Sequence, residues 1–190
     1  MTDEELELYA TPKAAVDLLL EHEQISDTVL DPCTGLGHIA EVLKTAGHDV
    51  ECWDIKQRSY PLDKVGNFLE YDGKWDGDIV MNPPFKQYGE FTAHAMQMLN
   101  DGCRLYVLIP QGMLDGLKRY SQMNGWKECE RVWVFPRRVL CGAMGKFDTL
   151  VGKGYNWVVF QKGFTGTAEL CWFDPDSYVS NKKGEDHMLA

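Results

Sequence analysis

Long apolar runs are missing from these 190 residues. None reaches the eighteen or so residues that a spanning helix needs, so a transmembrane helix is excluded. A leader is not expected either, because Met1 to Glu7 is acidic and has no apolar stretch; a cytoplasmic protein is the expectation, in a bacterial or phage-infected cell. The six cysteines, at 33, 52, 103, 129, 141 and 171, show no paired metal-ligand spacing. They read as reduced thiols, with neither a zinc site nor a disulfide framework expected. Positive charge is scarce: 19 Lys and Arg face 29 Asp and Glu, a net charge of −10. A nucleic-acid protein built on bulk electrostatic attraction is therefore not what the total describes.

What is present is unevenly placed. Residues 1–100 hold 19 acidic and 7 basic side chains; between Arg104 and Gly163 ten basic residues face four acidic ones. Trp126, Trp133, Phe135 and Phe147 lie among those bases. Bases mixed with aromatics suit phosphate contact and stacking on an unpaired base. Core packing is the competing reading, since Trp133 and Phe135 alternate with Val132 and Val134.

The most informative segment is Asn82-Pro83-Pro84-Phe85, which follows the apolar run Asp78-Ile79-Val80-Met81. The run reads as a buried strand ending at a loop. Two prolines fix φ and remove donors, so the loop presents acceptors in a stiff frame. The Asn82 amide oxygen and the Pro83 carbonyl can both accept from an exocyclic NH2, and Phe85 can stack on the ring that carries it.

Upstream, Thr28-Val29-Leu30 reads as a strand, followed by Asp31-Pro32-Cys33-Thr34-Gly35-Leu36-Gly37-His38 and a helix over 39–46. A strand, a glycine turn and a helix start form a ligand corner of an α/β sheet. The third glycine of the dinucleotide fingerprint is missing, as is the Lys-Ser/Thr of a phosphate loop. An acidic residue at the strand end suits a cation, such as the amino group of S-adenosylmethionine. The next strand ends at Asp54, placed to hold ribose hydroxyls. Asn67 and Phe68 follow, where an amide oxygen and a backbone N–H can meet an adenine.

Together these motifs resemble the S-adenosylmethionine-dependent DNA N6-adenine methyltransferases, in particular small phage-encoded ones. Tyr9-Ala10-Thr11-Pro12 is similar to that family's N-terminal cofactor motif, and the motif order is its gamma-type arrangement. Arg137-Arg138 with 157–163 resembles its C-terminal hairpin. The resemblance implies cofactor contacts from Tyr9, Thr11, Pro12, Asp31, Pro32, Cys33, Gly35, Gly37, Asp54, Ile55, Asn67, Phe68 and Asn82. It implies catalysis by Asn82, Pro83, Pro84 and Phe85, and substrate contact by Phe85, Lys86, Tyr88, Arg137, Arg138 and Lys146, with no metal. DNA is the implied partner. RNA adenine, cytosine N4, a protein glutamine, or a non-catalytic binding module of the same fold are the alternatives. Two departures stand out. Asn67 replaces the family's usual Asp, and the twenty residues from Gln111 to Glu130 leave no room for a large target-recognition insert. Specificity is then low or supplied by a protein partner.

The layout predicted is one methyltransferase domain over 1–179 with a loose polar tail at 180–190. Helix signals at Lys13–His22 and Tyr88–Leu99 alternate with strands at 28–30, 49–53, 78–81 and 104–109. Late strands fall at 131–135 and 155–161. Alternation permits a mostly parallel sheet with helices on both faces. The resemblance implies a Rossmann-like class I methyltransferase fold that closes with an antiparallel hairpin.

Overall fold

The computed structural model describes residues 8–122, 126–143, 150–174 and 176. Its main sheet has eight strands. In chain order the strands are β1 Tyr9–Ala10, β2 Thr28–Asp31, β3 Asp49–Asp54, β4 Lys64–Val65, β5 Asp78–Met81 and β6 Arg104–Pro110. They continue with β7 Cys129–Val134, β8 Val139–Ala143, β9 Leu150–Lys153, β10 Tyr155–Gln161 and β11 Glu169–Trp172. The sheet runs β11-β7-β10-β6-β5-β2-β3-β4. β2, β3, β4, β5 and β6 pair in parallel, and β10 is antiparallel to both β6 and β7. This is the expected class: a mostly parallel sheet whose late strands reverse.

Period-2 alternation explains the two covered faces. Val29, Val80, Tyr106, Leu108, Trp157 and Val159 point to one side, where helices α1 Lys13–His22 and α2 His38–Thr45 pack. Leu30, Ile79, Met81, Leu105, Val107, Val158 and Phe160 point to the other, against α3 Tyr88–Met98. A strand buried on both sides is apolar on both faces, which is why 79–81 and 105–109 carry no polar alternation. The Trp157 indole N–H donates to the Ala15 carbonyl at 2.7 Å and ties α1 to the sheet.

The C-terminal pairing differs in detail from a simple hairpin. β7 and β10 are antiparallel neighbours but not consecutive. Between them the chain makes β8 and β9, which form a separate three-stranded sheet with β1, β8 lying between the other two. β11 then extends the main sheet beyond β7 in parallel. A short helix, α4 Leu117–Gln122, follows β6. The stretch 180–190 lies outside the described residues.

The basic and aromatic cluster resolves toward packing. Trp133 stacks on Phe173 at 5.0 Å, and its indole N–H donates to Glu23 at 2.6 Å. Phe135 also packs on Phe173, and Trp126 stacks on Phe160. Arg131 is paired with Glu23 and Glu169, and Arg104 with Glu130. Of the two readings, packing describes Phe135, which is buried, and Trp126 and Trp133, which are half-buried against the core. Phe147 is outside the described residues.

Candidate active site

A parallel sheet places its ligand crevice beyond the strand C-termini. There the ends of β2, β3 and β5 bring Asp31, Asp54 and Asn82 to one cavity of about 210 Å³. Tyr9, Thr11, Cys33, Gly35, Ile55 and Pro84 line it too.

The glycine turn is stitched to its strands. Thr34 N donates to the Trp53 carbonyl at 3.0 Å, and its hydroxyl to the Asp31 carbonyl at 2.9 Å. Gly35 and Gly37 both sit at positive φ, +57° and +87°, where side chains are disfavoured. Gly35 N donates to Asp54 Oδ2 at 2.8 Å. Gly37 opens α2, and a Cβ there would run into the ring of Tyr60. Packing against the Tyr60 ring by itself requires a glycine here.

Asp31 is 1% exposed. Its Oδ1 accepts from Cys33 N at 3.2 Å, and Oδ2 has no hydrogen-bond partner. Burial pushes this carboxyl up to about 8; Asp54 nearby adds to the rise, and the Cys33 N–H and Lys44 oppose it. An unpartnered buried carboxylate oxygen is a socket for a cation. The same burial, with Asp31 and Asp54 alongside, holds the Cys33 thiol well above its usual range. Cys33 is therefore a neutral wall of the cavity and not a nucleophile.

Asp54 is more heavily used than the sequence suggests. Oδ2 takes Gly35 N; Oδ1 takes Lys56 N at 3.1 Å and Arg58 Nη1 at 2.9 Å. A carboxylate has about four acceptor positions, so about one remains for a ribose hydroxyl while Arg58 stays in place. Arg58 lines the cavity and is a site residue the sequence reading missed. Its one signal was a basic side chain four positions beyond Asp54.

Asn82 is held from the N-terminal motif. Its Nδ2 donates to the Tyr9 carbonyl at 3.3 Å and to Thr11 Oγ1 at 3.1 Å, and Oδ1 accepts from the Tyr88 hydroxyl at 3.4 Å. A backbone carbonyl can only accept, so the amide nitrogen must face Tyr9. The acceptor oxygen is thereby aimed away from β1. Phe85 stacks on Tyr9 at 4.1 Å and on Tyr88 at 5.7 Å, with Tyr155 tilted against it at 6.2 Å. Pro83 is buried and Pro84 stands at the cavity wall.

Other expected residues are placed elsewhere. Asn67 caps a short turn, accepting from Leu69 N at 3.1 Å and donating to Glu70 at 3.0 Å. Phe68 is buried against Phe91 and His94. Neither is among the residues lining the cavity. Pro12 and Pro32 are buried beside the motifs they follow. Tyr88, expected at a substrate phosphate, is 1% exposed and serves under Phe85. Its burial rules out the phosphate contact, because it lies in the core at the start of α3. Lys86, Arg137 and Arg138 are exposed, the arginines in the turn between β7 and β8. Lys146 lies outside the described residues. Among the described residues no cluster of His, Cys, Asp and Glu could hold a metal ion, and no helix is long and apolar enough to cross a membrane.

No protein-family model and no curated protein matches the sequence. Solved structures do match by fold. A candidate RNA methyltransferase from Pyrococcus horikoshii superposes with TM-score 0.63 at 16% identity, over 85% of this chain and 90% of that one. A candidate class I S-adenosylmethionine-dependent methyltransferase from Listeria monocytogenes gives 0.61 at 13% identity, over 93% and 70%. The modification subunit of a candidate type I restriction enzyme from Vibrio vulnificus gives 0.57 at 17%, over 85% of this chain and 45% of that subunit. By strand order, by the reversed late strands and by these similarities, the chain has the Rossmann-like fold of class I methyltransferases.

Proposed function

We propose that this chain is an S-adenosylmethionine-dependent methyltransferase acting on the N6 amino group of adenine in DNA, within a single domain over 1–179. The observation that carries the reading is that Asn82, with Pro84 beside it, lines the same cavity as Asp31, Asp54 and the glycine turn. One cavity then joins a cation socket to an acceptor for a planar amine. The orphaned Asp31 Oδ2 fits the methionine ammonium, the spare Asp54 position fits one ribose hydroxyl, and exposed Ile55 offers an apolar face to adenine.

When bound, the cofactor supplies a sulfonium methyl group. The protein's part is to orient and polarise. Asn82 Oδ1 and the Pro83 carbonyl accept from the target NH2 and localise its nitrogen lone pair. Phe85 stacks on the base. Orienting two reactants in this way is worth roughly 7–11 kcal/mol of barrier. In a duplex the base must first leave the stack, at a cost of a few kcal/mol. Exposed Lys86, Arg137 and Arg138 are the candidates for phosphate contact, and Lys146 is a further candidate from the sequence alone. The restriction-subunit similarity favours DNA and a protein partner that supplies specificity. The candidate RNA methyltransferase keeps RNA as the second reading.

The test is transfer of labelled methyl to duplex DNA, single-stranded DNA and RNA, followed by nucleoside digestion. N6-methyladenine from DNA is the expected product. Asn82→Ala should lower the rate about 100- to 1,000-fold while cofactor binding persists. Wild-type rates in that variant would sink the mechanism.

A further inference from the structure

Tyr9 is the residue the site leaves unexplained. It lines the cavity that holds Asp31 and Asn82, and its ring also covers Phe85, with centroids 4.1 Å apart and planes 24° from parallel. Rings in such contact leave no room for a third between them. Phe85 also packs on Tyr88 at 5.7 Å and on Tyr155 at 6.2 Å, both 1% exposed and held in the core. A flat ligand therefore reaches Phe85 by taking the place of Tyr9.

The backbone of Tyr9 is not free to leave. Tyr9 and Ala10 pair with Ala143 and Gly142 of β8. The Tyr9 carbonyl, together with the Thr11 hydroxyl, fixes the amide of Asn82. Moving the strand would release the orientation of the Asn82 amide. Rotation about the side-chain bonds of Tyr9 disturbs none of this.

We propose that Tyr9 is a gate: its ring covers Phe85 in the free protein and swings aside for an incoming nucleobase, while its carbonyl stays on Asn82. The proposal rests on the reading of Phe85 as the stacking wall.

Binding of a fluorescently labelled single-stranded oligodeoxyadenylate, without cofactor, tests this. Tyr9→Ala should bind about 2- to 12-fold tighter than wild type, the gain expected from removing one aromatic pair. Tyr9→Phe should bind as wild type does. Phe85→Ala should bind more weakly, and adding Tyr9→Ala to it should bring no gain. Equal or weaker binding by Tyr9→Ala overturns the gate, as does a gain that survives in the double variant. No binding by any form overturns it too. A gain that depends on Phe85, in a protein that transfers no methyl group to any nucleic acid, would uphold the gate and remove the catalytic reading alone.

Discussion

Asp31 makes cofactor binding a proton-linked event. In the free protein its carboxyl is buried, bonded only through Oδ1 to Cys33 N, and pushed up to about 8. At pH 7, about nine-tenths of it is then protonated. An ammonium placed against Oδ2 requires the ionised form, so binding must expel that proton. Affinity for S-adenosylmethionine should therefore rise as pH increases, by about tenfold from about pH 6 to about pH 7 and less steeply toward pH 8. Near pH 8 the ligand's own α-ammonium is also losing its proton, and the curve turns over. Calorimetry in two buffers of different ionisation enthalpy should show release of nearly one proton at neutral pH. Stability of the free protein moves the opposite way. The folded pKa is raised above the unfolded one, so the native state keeps a proton that the unfolded chain has lost. The contribution is fully present below about pH 4 and is lost as pH climbs to about 8, at up to roughly 1.4 kcal/mol per unit. In Asp31→Asn both slopes should vanish and cofactor affinity should fall. A wild-type affinity that stays flat from pH 6 to 8, or an Asn variant that keeps the slope, would refute the reasoning.

Two further substitutions test the frame around the site. Gly37→Ala forces a side chain into positive φ and against the Tyr60 ring; the backbone strain alone should cost about 1–3 kcal/mol, read from urea denaturation, and an unchanged midpoint would contradict it. Glu23→Ala removes the acceptor shared by Arg131 and the Trp133 indole. Arg131 keeps Glu169, so the expected loss is about 2–3 kcal/mol by chemical denaturation, and a loss below half a kcal/mol would show that these bonds are not part of the fold's support.

The motifs at the strand ends were legible because strands that run parallel all end at the same edge of the sheet. Once 28–30, 49–53 and 78–81 read as strands, Asp31, Asp54 and Asn82 had to meet. The two-sided apolar runs similarly announced a sheet covered on both faces. What escaped was pairing at long range and in short pieces. β1 is two residues long and pairs with β8 more than 130 positions away; no local pattern marks such a strand. β11 is mostly exposed at the sheet edge and lacks an apolar period.

The same division holds within the site. Sequence alone determined which chemical groups stand at the ends of the strands, since residue type and strand period are local properties. Only the tertiary structure decided what those groups touch. Asp54 spends most of its acceptors on Gly35, Lys56 and Arg58; Asn82 is oriented by Tyr9 and Thr11; Phe85 is covered by Tyr9. Trp133, which the sequence left open between core packing and stacking on a base, shares Glu23 with Arg131. Each of those contacts depends on distances between segments that the chain brings together only when the whole sheet closes, and no window of sequence contains both partners of the longest of them.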